Sequence, residues 1–213
     1  MILKSQQHLN GDQIVAIDVE TTGVVVGYSE ICQLSMIPLD NFYNLRPEIL
    51  PLNIFIRPDC PERIDPEAMK KNRIKRDSLI KYGIDTEKAK DLVEDWIEKL
   101  ELPYNKYGTR RCRIIPLGHN FGFDTAFLQE WLGKELYSSW FSVFVRDTMT
   151  TALFLNDKAA MKGQQVPFSK VTLVYLASQL KVKYNNAHNA LADCMATANV
   201  YKQMMMDQGA KNL

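Results

Sequence analysis

The sequence predicts an α/β fold: a mixed, five-stranded central sheet flanked by helices. Two observations predict it. Three apolar, partly β-branched stretches follow one another early in the chain, joined by short links. Beyond them, helical and strand-like segments alternate until the chain ends in helices. A length of 213 residues, 46% of them hydrophobic, suits one domain (residues 1–213) with a sizeable core.

Residues 14–20, Ile-Val-Ala-Ile-Asp-Val-Glu, read as the first strand, ending at Thr21-Thr22-Gly23. Residues 31–39 and 52–57 read as the second and third strands, the latter closed by Pro58; the short links suggest an antiparallel meander. Residues 66–82 read as one helix, with Asp65 as cap, Pro66 in the first turn and Gly83 as stop. Residues 87–100 carry Ala89, Leu92, Val93, Trp96, Ile97 and Leu100 at helical spacing, the stripe of a helix packed on a sheet. Residues 113–117 are a fourth strand, 123–132 a helix and 141–146 a short fifth strand. A helix begins over 148–155, a polar loop occupies 158–167, and helices are expected over 170–180 and about 190–207.

Composition narrows the function. The net charge is +1, far from the basic balance of a protein that coats nucleic acid, yet compatible with an enzyme that grips a few nucleotides. The four cysteines form no C-x-x-C pair, so neither a zinc site nor a disulfide framework is expected, and reduced thiols in a cytoplasm are the plain reading. The first ten residues hold no apolar signal region, and no apolar run approaches bilayer length, so neither a secretory signal nor a membrane span is expected.

The chemistry lies in three short segments. Asp18 and Glu20 stand two apart on a strand and leave the same face, after Ile14 and Ala16. Two such carboxylates repel and are costly to bury, costs that a divalent cation offsets; a strand running out into solvent explains them equally well. Asp124 falls at the junction of the fourth strand and the next helix, where α/β sheets place ligands, but an acid in a helix's first turn is also favoured by the dipole alone. His188 and Asp193, on one helix, would point roughly 140° apart at about 100° per residue. They share a site only if His188 lies in the loop and the helix starts after it; Asn185, Asn186 and Asn189 favour such a turn.

Taken in order, Asp18-Val-Glu-Thr-Thr-Gly23, His119-Asn-x-x-Phe-Asp124 and His188-x-Ala-x-x-Asp193 resemble the three motifs of the DEDDh (DnaQ-like) 3′→5′ exonuclease family, which includes the epsilon subunit of DNA polymerase III, RNase T and oligoribonuclease. Ile64-Asp-Pro-Glu-Ala-Met69 and Leu176-Ala-x-x-Leu180 also look like family features, so the resemblance runs over nearly the whole chain. Cys194, where the family often has Ala, and the long polar loop at 158–167 depart from the pattern.

The resemblance implies an RNase H-like fold. It implies that Asp18, Glu20, Asp124 and Asp193 hold two Mg²⁺ ions, with Mn²⁺ able to substitute, and that His188 is the general base. It implies release of nucleoside 5′-monophosphates from single-stranded 3′ ends, DNA in preference to RNA. RNase T-like trimming of RNA and service as the exonuclease subunit of a polymerase complex are the alternatives, and a homodimer or a polymerase partner is compatible with either. Thr21, Thr22, Asn120 and Phe123 are the expected substrate contacts. Phe121 and Phe123 could stack on a base, but at least one of them is expected in the core. Val24 to Val26 could wedge against a terminal base or begin the next strand. Trp131, Tyr137 and Trp140 are expected in the core. Lys70, Lys71, Arg73, Lys75 and Arg76 are expected to form a solvated face; Arg110, Arg111 and Arg113 are a second basic group.

Overall fold

The computed structural model describes residues 12–104, 108, 111–185 and 187–206; Arg110, Asn186 and Asp207, which the sequence reading used, lie outside them. Five strands, β1 (Gln13–Thr21), β2 (Ile31–Pro38), β3 (Leu52–Phe55), β4 (Ile114–Gly118) and β5 (Arg146–Asp147), form one sheet in the order β3-β2-β1-β4-β5. β1, β2 and β3 are an antiparallel meander, whereas β4 and β5 run parallel to β1. The mixed α/β sheet expected from the sequence is therefore the observed one.

The period of two along β1 divides the core. Val15, Ile17 and Val19 face one layer, with Leu34 and Met36 of β2. Against them pack Ala89, Val93, Trp96 and Ile97 of α3 (Thr86–Glu98) and Phe127 and Leu128 of α4 (Gly122–Leu132). Ile14 and Ala16 face the other layer, with Ile115 and Leu117 of β4 and Cys194, Ala198 and Tyr201 of α8 (Ala190–Met206). Asp18 and Glu20 continue the Ile14–Ala16 face, so the first two acids point towards α8. The register Ala16↔Leu117 brings the end of β4 level with Ile17 and Asp18.

Four expectations are corrected. The helix over 66–82 is two helices, α1 (Pro66–Asn72) and α2 (Arg76–Tyr82). Arg73 breaks it at φ 57°, in the left-handed region, and its N–H closes on the carbonyls of Met69 and Lys70. That conformation costs about 1–2 kcal/mol for a residue with a Cβ. Packing offsets it: the break lets Met69 and Leu79 bury together against Cys32 and Ile64, with Ile74 and Ile80 alongside. Asp65 does cap α1, accepting from the Glu67 N–H, with Pro66 in its first turn.

The strand expected over 141–146 shrinks to Arg146–Asp147, with a single bridge between Ile114 and Phe141, and a short helix α5 (Lys134–Trp140) precedes it. Val143, Phe144 and Val145 have strand composition but lie exposed outside the ladder. The helix α6 runs Thr148–Met161 and absorbs the first part of the expected polar loop, and α7 is only Leu173–Gln179. Tyr137 and Trp140 are core residues, as expected, and Trp131 is partly buried against the same layer.

Candidate active site

Three elements converge at the carboxyl end of β1. Asp18 and Glu20 are carried there by the strand, which bulges between Glu20 and Thr21 as it leaves the β2 ladder. α8 approaches from the opposite side of that face. Asn189 starts this helix by accepting the Ala192 N–H at 3.3 Å, and Asp193 sits in its first turn with its own N–H on the Asn189 carbonyl. His188 stands before the helix at φ 65°. The left-handed residue turns the chain, freeing the imidazole from the helical spacing that would have pointed it away from Asp193. Carboxylate oxygens of Asp18, Glu20 and Asp193 lie within 4.8 Å of one another.

Asp124 arrives from the layer across the sheet. It belongs to the first turn of α4, and its Oδ1 accepts the Val19 N–H at 2.9 Å. That backbone amide lies between the two acids of β1, so Asp124 is tied to the strand that carries them.

The electrostatics are those of four acids enclosed together. Burial pushes the Asp18 carboxyl well above the ordinary carboxylate range, and Asp124, Asp193 and Glu20 add to the effect. Burial, then Asp193, raises Glu20 to about 8, with the Lys71 ammonium opposing. Asp124 rises to about 8, again through burial, although the N–H groups of Val19 and of its own backbone hold it back. Asp193 is raised by burial and restrained by the Tyr184 hydroxyl. Hydrogen bonds therefore relieve part of the cost of ionising these acids, and most of the opposing positive charge is missing.

His188 is displaced the other way. Burial lowers its pKa, and Lys71 and Arg73 push in the same direction against the pull of Asp193. Lys71 and Arg73 come from the basic run read as a solvated face; although exposed, they sit close enough to bias the site. Fold contacts between the 70s and the 180s are invisible to local periodicity, so no local signal could have found this. Tyr184 was also missed: its hydroxyl donates to Asp193 Oδ1 at 2.7 Å.

The expected substrate contacts divide. The Thr21 hydroxyl donates to the Gly23 carbonyl at 2.5 Å, and the Thr22 hydroxyl accepts the Glu30 N–H at 2.9 Å, so both hold the β1–β2 turn. Asn72 Nδ2 donates to the Thr21 carbonyl at 3.0 Å, linking this turn to the end of α1. Val24 is 76% exposed at the tip of the turn, outside any strand. Asn120 is exposed at φ 58° and its carbonyl accepts the Phe123 N–H. Phe121 is wholly buried, and Phe123 packs half-buried against Phe127 with ring centroids 4.8 Å apart. In the second basic group, Arg111 pairs with Glu98 at 2.5 Å and Arg113 donates to the Ser138 carbonyl.

A cavity of about 600 Å³ opens beside His188, walled by Asn72 to Lys75, one side of α2, Phe55 and residues 187–189.

Residues 15–107 match the family model described as "Exonuclease". That span holds the first of the three motifs; Asp124, His188 and Asp193 lie beyond it. No curated protein matches the chain by sequence. Among solved structures, Escherichia coli exonuclease I in a zinc-bound complex with single-stranded DNA superposes with a TM-score of 0.70 at 16% identity, over 92% of this chain and 41% of that one. The exonuclease I of Methylocaldum szegediense gives 0.66 at 18% identity, over 93% and 41%. Cell-death related nuclease 4 gives 0.65 at 16% identity, over 92% and 64%. The chain thus spans about 41% of the exonuclease I chains that it matches, and shares their fold.

Proposed function

We propose that this chain, which resembles the DEDDh (DnaQ-like) exonuclease family in sequence and in fold, is a metal-dependent 3′→5′ exonuclease of a single domain that releases nucleoside 5′-monophosphates from single strands, DNA in preference to RNA. One observation carries the reading: the convergence of Asp18, Glu20 and Asp193 within 4.8 Å, with Asp124 bound to the strand between the first two.

The donor set fits hard divalent cations. It consists of carboxylate oxygens, it is largely buried, and it has too little nearby positive charge to ionise without help. Asp18, Glu20, Asp124 and Asp193 would hold two Mg²⁺ ions, or Mn²⁺ in their place. Bound there, the ions supply Lewis acidity for an attacking water and for the charge on the transferring phosphoryl group.

The remaining work falls to the protein. His188, kept neutral by burial and by the cations of Lys71 and Arg73, accepts the proton of the attacking water at a ring nitrogen. Asp193 beside it stabilises the imidazolium that forms. Asp124 and the Val19 amide keep the β1 acids in register with α4. The β1–β2 turn, braced by Thr21, Thr22 and Asn72, presents its exposed valines and backbone to the terminal nucleotide. The solved exonuclease I complexes with single-stranded DNA support a single strand as the substrate.

The test uses 5′-labelled DNA and RNA single strands of matched sequence, with Mg²⁺ or with EDTA, and Asp18→Ala alongside. Shortening from the 3′ end that needs both Mg²⁺ and Asp18 is expected, with DNA the faster strand. A folded protein that shortens neither strand in Mg²⁺ or Mn²⁺ would refute the reading.

A further inference from the structure

The cavity beside His188 is not consumed by the chemistry just described, and its walls have a single electrostatic sign. Among the described residues, Arg73 and Lys75 line it, no carboxylate does, and neither cation makes an ion pair. At the far side stand Tyr82, 73% exposed with the Lys81 ammonium 5.0 Å from its ring centroid, and the partly exposed Phe55. Cations that track a backbone, with aromatic faces beside them, are the common features of surfaces that hold single-stranded nucleic acid. A volume of about 600 Å³ falls in the range of small-ligand sites. The left-handed residue Arg73, at the junction of α1 and α2, stands in the cavity wall.

We propose that this cavity is a strand-binding subsite, in which a nucleotide of the bound single strand sets its phosphate against Arg73 and Lys75 and its base on Tyr82. The proposal rests on the exonuclease reading only for the identity of the strand. His188 is common to the wall of the cavity and to the acid site, so a strand occupying the first is led into the second. Arg73 has a double role, because it also helps to hold His188 neutral. Lys75 and Tyr82 are the cleaner probes. Both are exposed, and among the described residues neither makes a hydrogen bond through its side chain.

The experiment measures fluorescence anisotropy of 5′-fluorescein dT12, with hydrolysis-resistant phosphorothioate linkages at its 3′ end, in Mg²⁺. Wild type, Lys75→Ala, Tyr82→Ala and the double variant are compared, with thermal melts to confirm folding. Affinity in the double variant should fall by about tenfold or more, the size of one lost stack and one lost phosphate contact, and the Lys75→Ala salt dependence should be shallower by about 0.7 in log–log slope. Unchanged affinity in a folded double variant would overturn the inference, as would a wild type that does not bind dT12. Hydrolysis of natural dT12 is scored separately. Binding that depends on Lys75 and Tyr82 without hydrolysis refutes the enzyme reading and supports this one; hydrolysis with binding indifferent to both residues does the reverse.

Discussion

The Tyr184 hydroxyl donates a 2.7 Å hydrogen bond to Asp193 Oδ1. The phenol's own pKa is driven up, by burial first and then by Asp193, Asp18 and Glu20, so the group stays a donor. It thereby holds one oxygen of a proposed metal ligand in a fixed orientation. Partners of this kind typically change metal affinity by 10–100-fold when removed. Tyr184→Phe should raise the Mg²⁺ concentration for half-maximal activity by about tenfold and change kcat at saturating Mg²⁺ much less. The metal titration decides it; an unmoved midpoint means that the bond does not orient Asp193.

The raised acids make stability depend on pH in a definite direction. Glu20 and Asp124 hold their protons up to about 8 in the folded chain, whereas unfolded carboxylates release theirs near about 4. A folded pKa above the unfolded one contributes stability that is complete below the lower value and is lost as pH rises through the higher. The metal-free protein should therefore melt at a falling temperature between pH 5 and pH 8.5, and Mg²⁺ should raise the melting temperature more at pH 8 than at pH 5. Melting curves in EDTA and in Mg²⁺ across that range test both parts. A flat metal-free profile would mean that the four acids are better compensated than their surroundings indicate.

His188 carries a separate expectation. His188→Ala should lower kcat by about 10²- to 10⁴-fold, the usual worth of a positioned general base, with little change in the metal midpoint. Because burial and the two nearby cations lower its pKa, the acid limb of the pH–rate profile should lie below about 6.5. Equal rates in variant and wild type would remove the general-base role, and an acid limb above neutrality would assign that limb to another group.

How much of this was legible in the sequence follows from the range of each interaction. Asp18 and Glu20 could be placed on one face because strand alternation is local, and the loop position of His188 followed from the geometry of a helix and the asparagines around it. The meander and the helix stripe of α3 were readable for the same reason. The break at Arg73 was not, because neither glycine nor proline marks it; its cause is the distant packing of Met69 and Leu79 on Cys32 and Ile64. Residues 141–145 misled because valine and phenylalanine favour strands wherever they occur, while pairing is decided by where α5 delivers the chain. Lys71 and Arg73 influence the site across long sequence separations, which no spacing rule reports; Tyr184 stands only nine residues before Asp193, but no helical or strand period links the two.

The last expectation concerns the turn that delivers Asp124. A Cβ at Gly118, the final residue of β4, would stand 2.3 Å from Cδ2 of Phe121 and 2.7 Å from its Cβ. Phe121 has nowhere to go: its ring is wholly buried, and its N–H is held by Asp147 Oδ2 at 2.6 Å. Asp147 is fixed in turn, since its other oxygen caps α6 through the Thr150 N–H. Gly118→Ala must therefore displace the β4–α4 turn, and Asp124 lies in the first turn of the helix that follows. Overpacking of this kind costs about 1–3 kcal/mol, which urea unfolding would measure. Under conditions where the variant remains folded, activity should still fall, and a higher Mg²⁺ concentration should restore part of it, because the loss lies in the position of one ligand. A folded variant with wild-type activity and metal dependence would show that the turn absorbs the methyl group without moving Asp124.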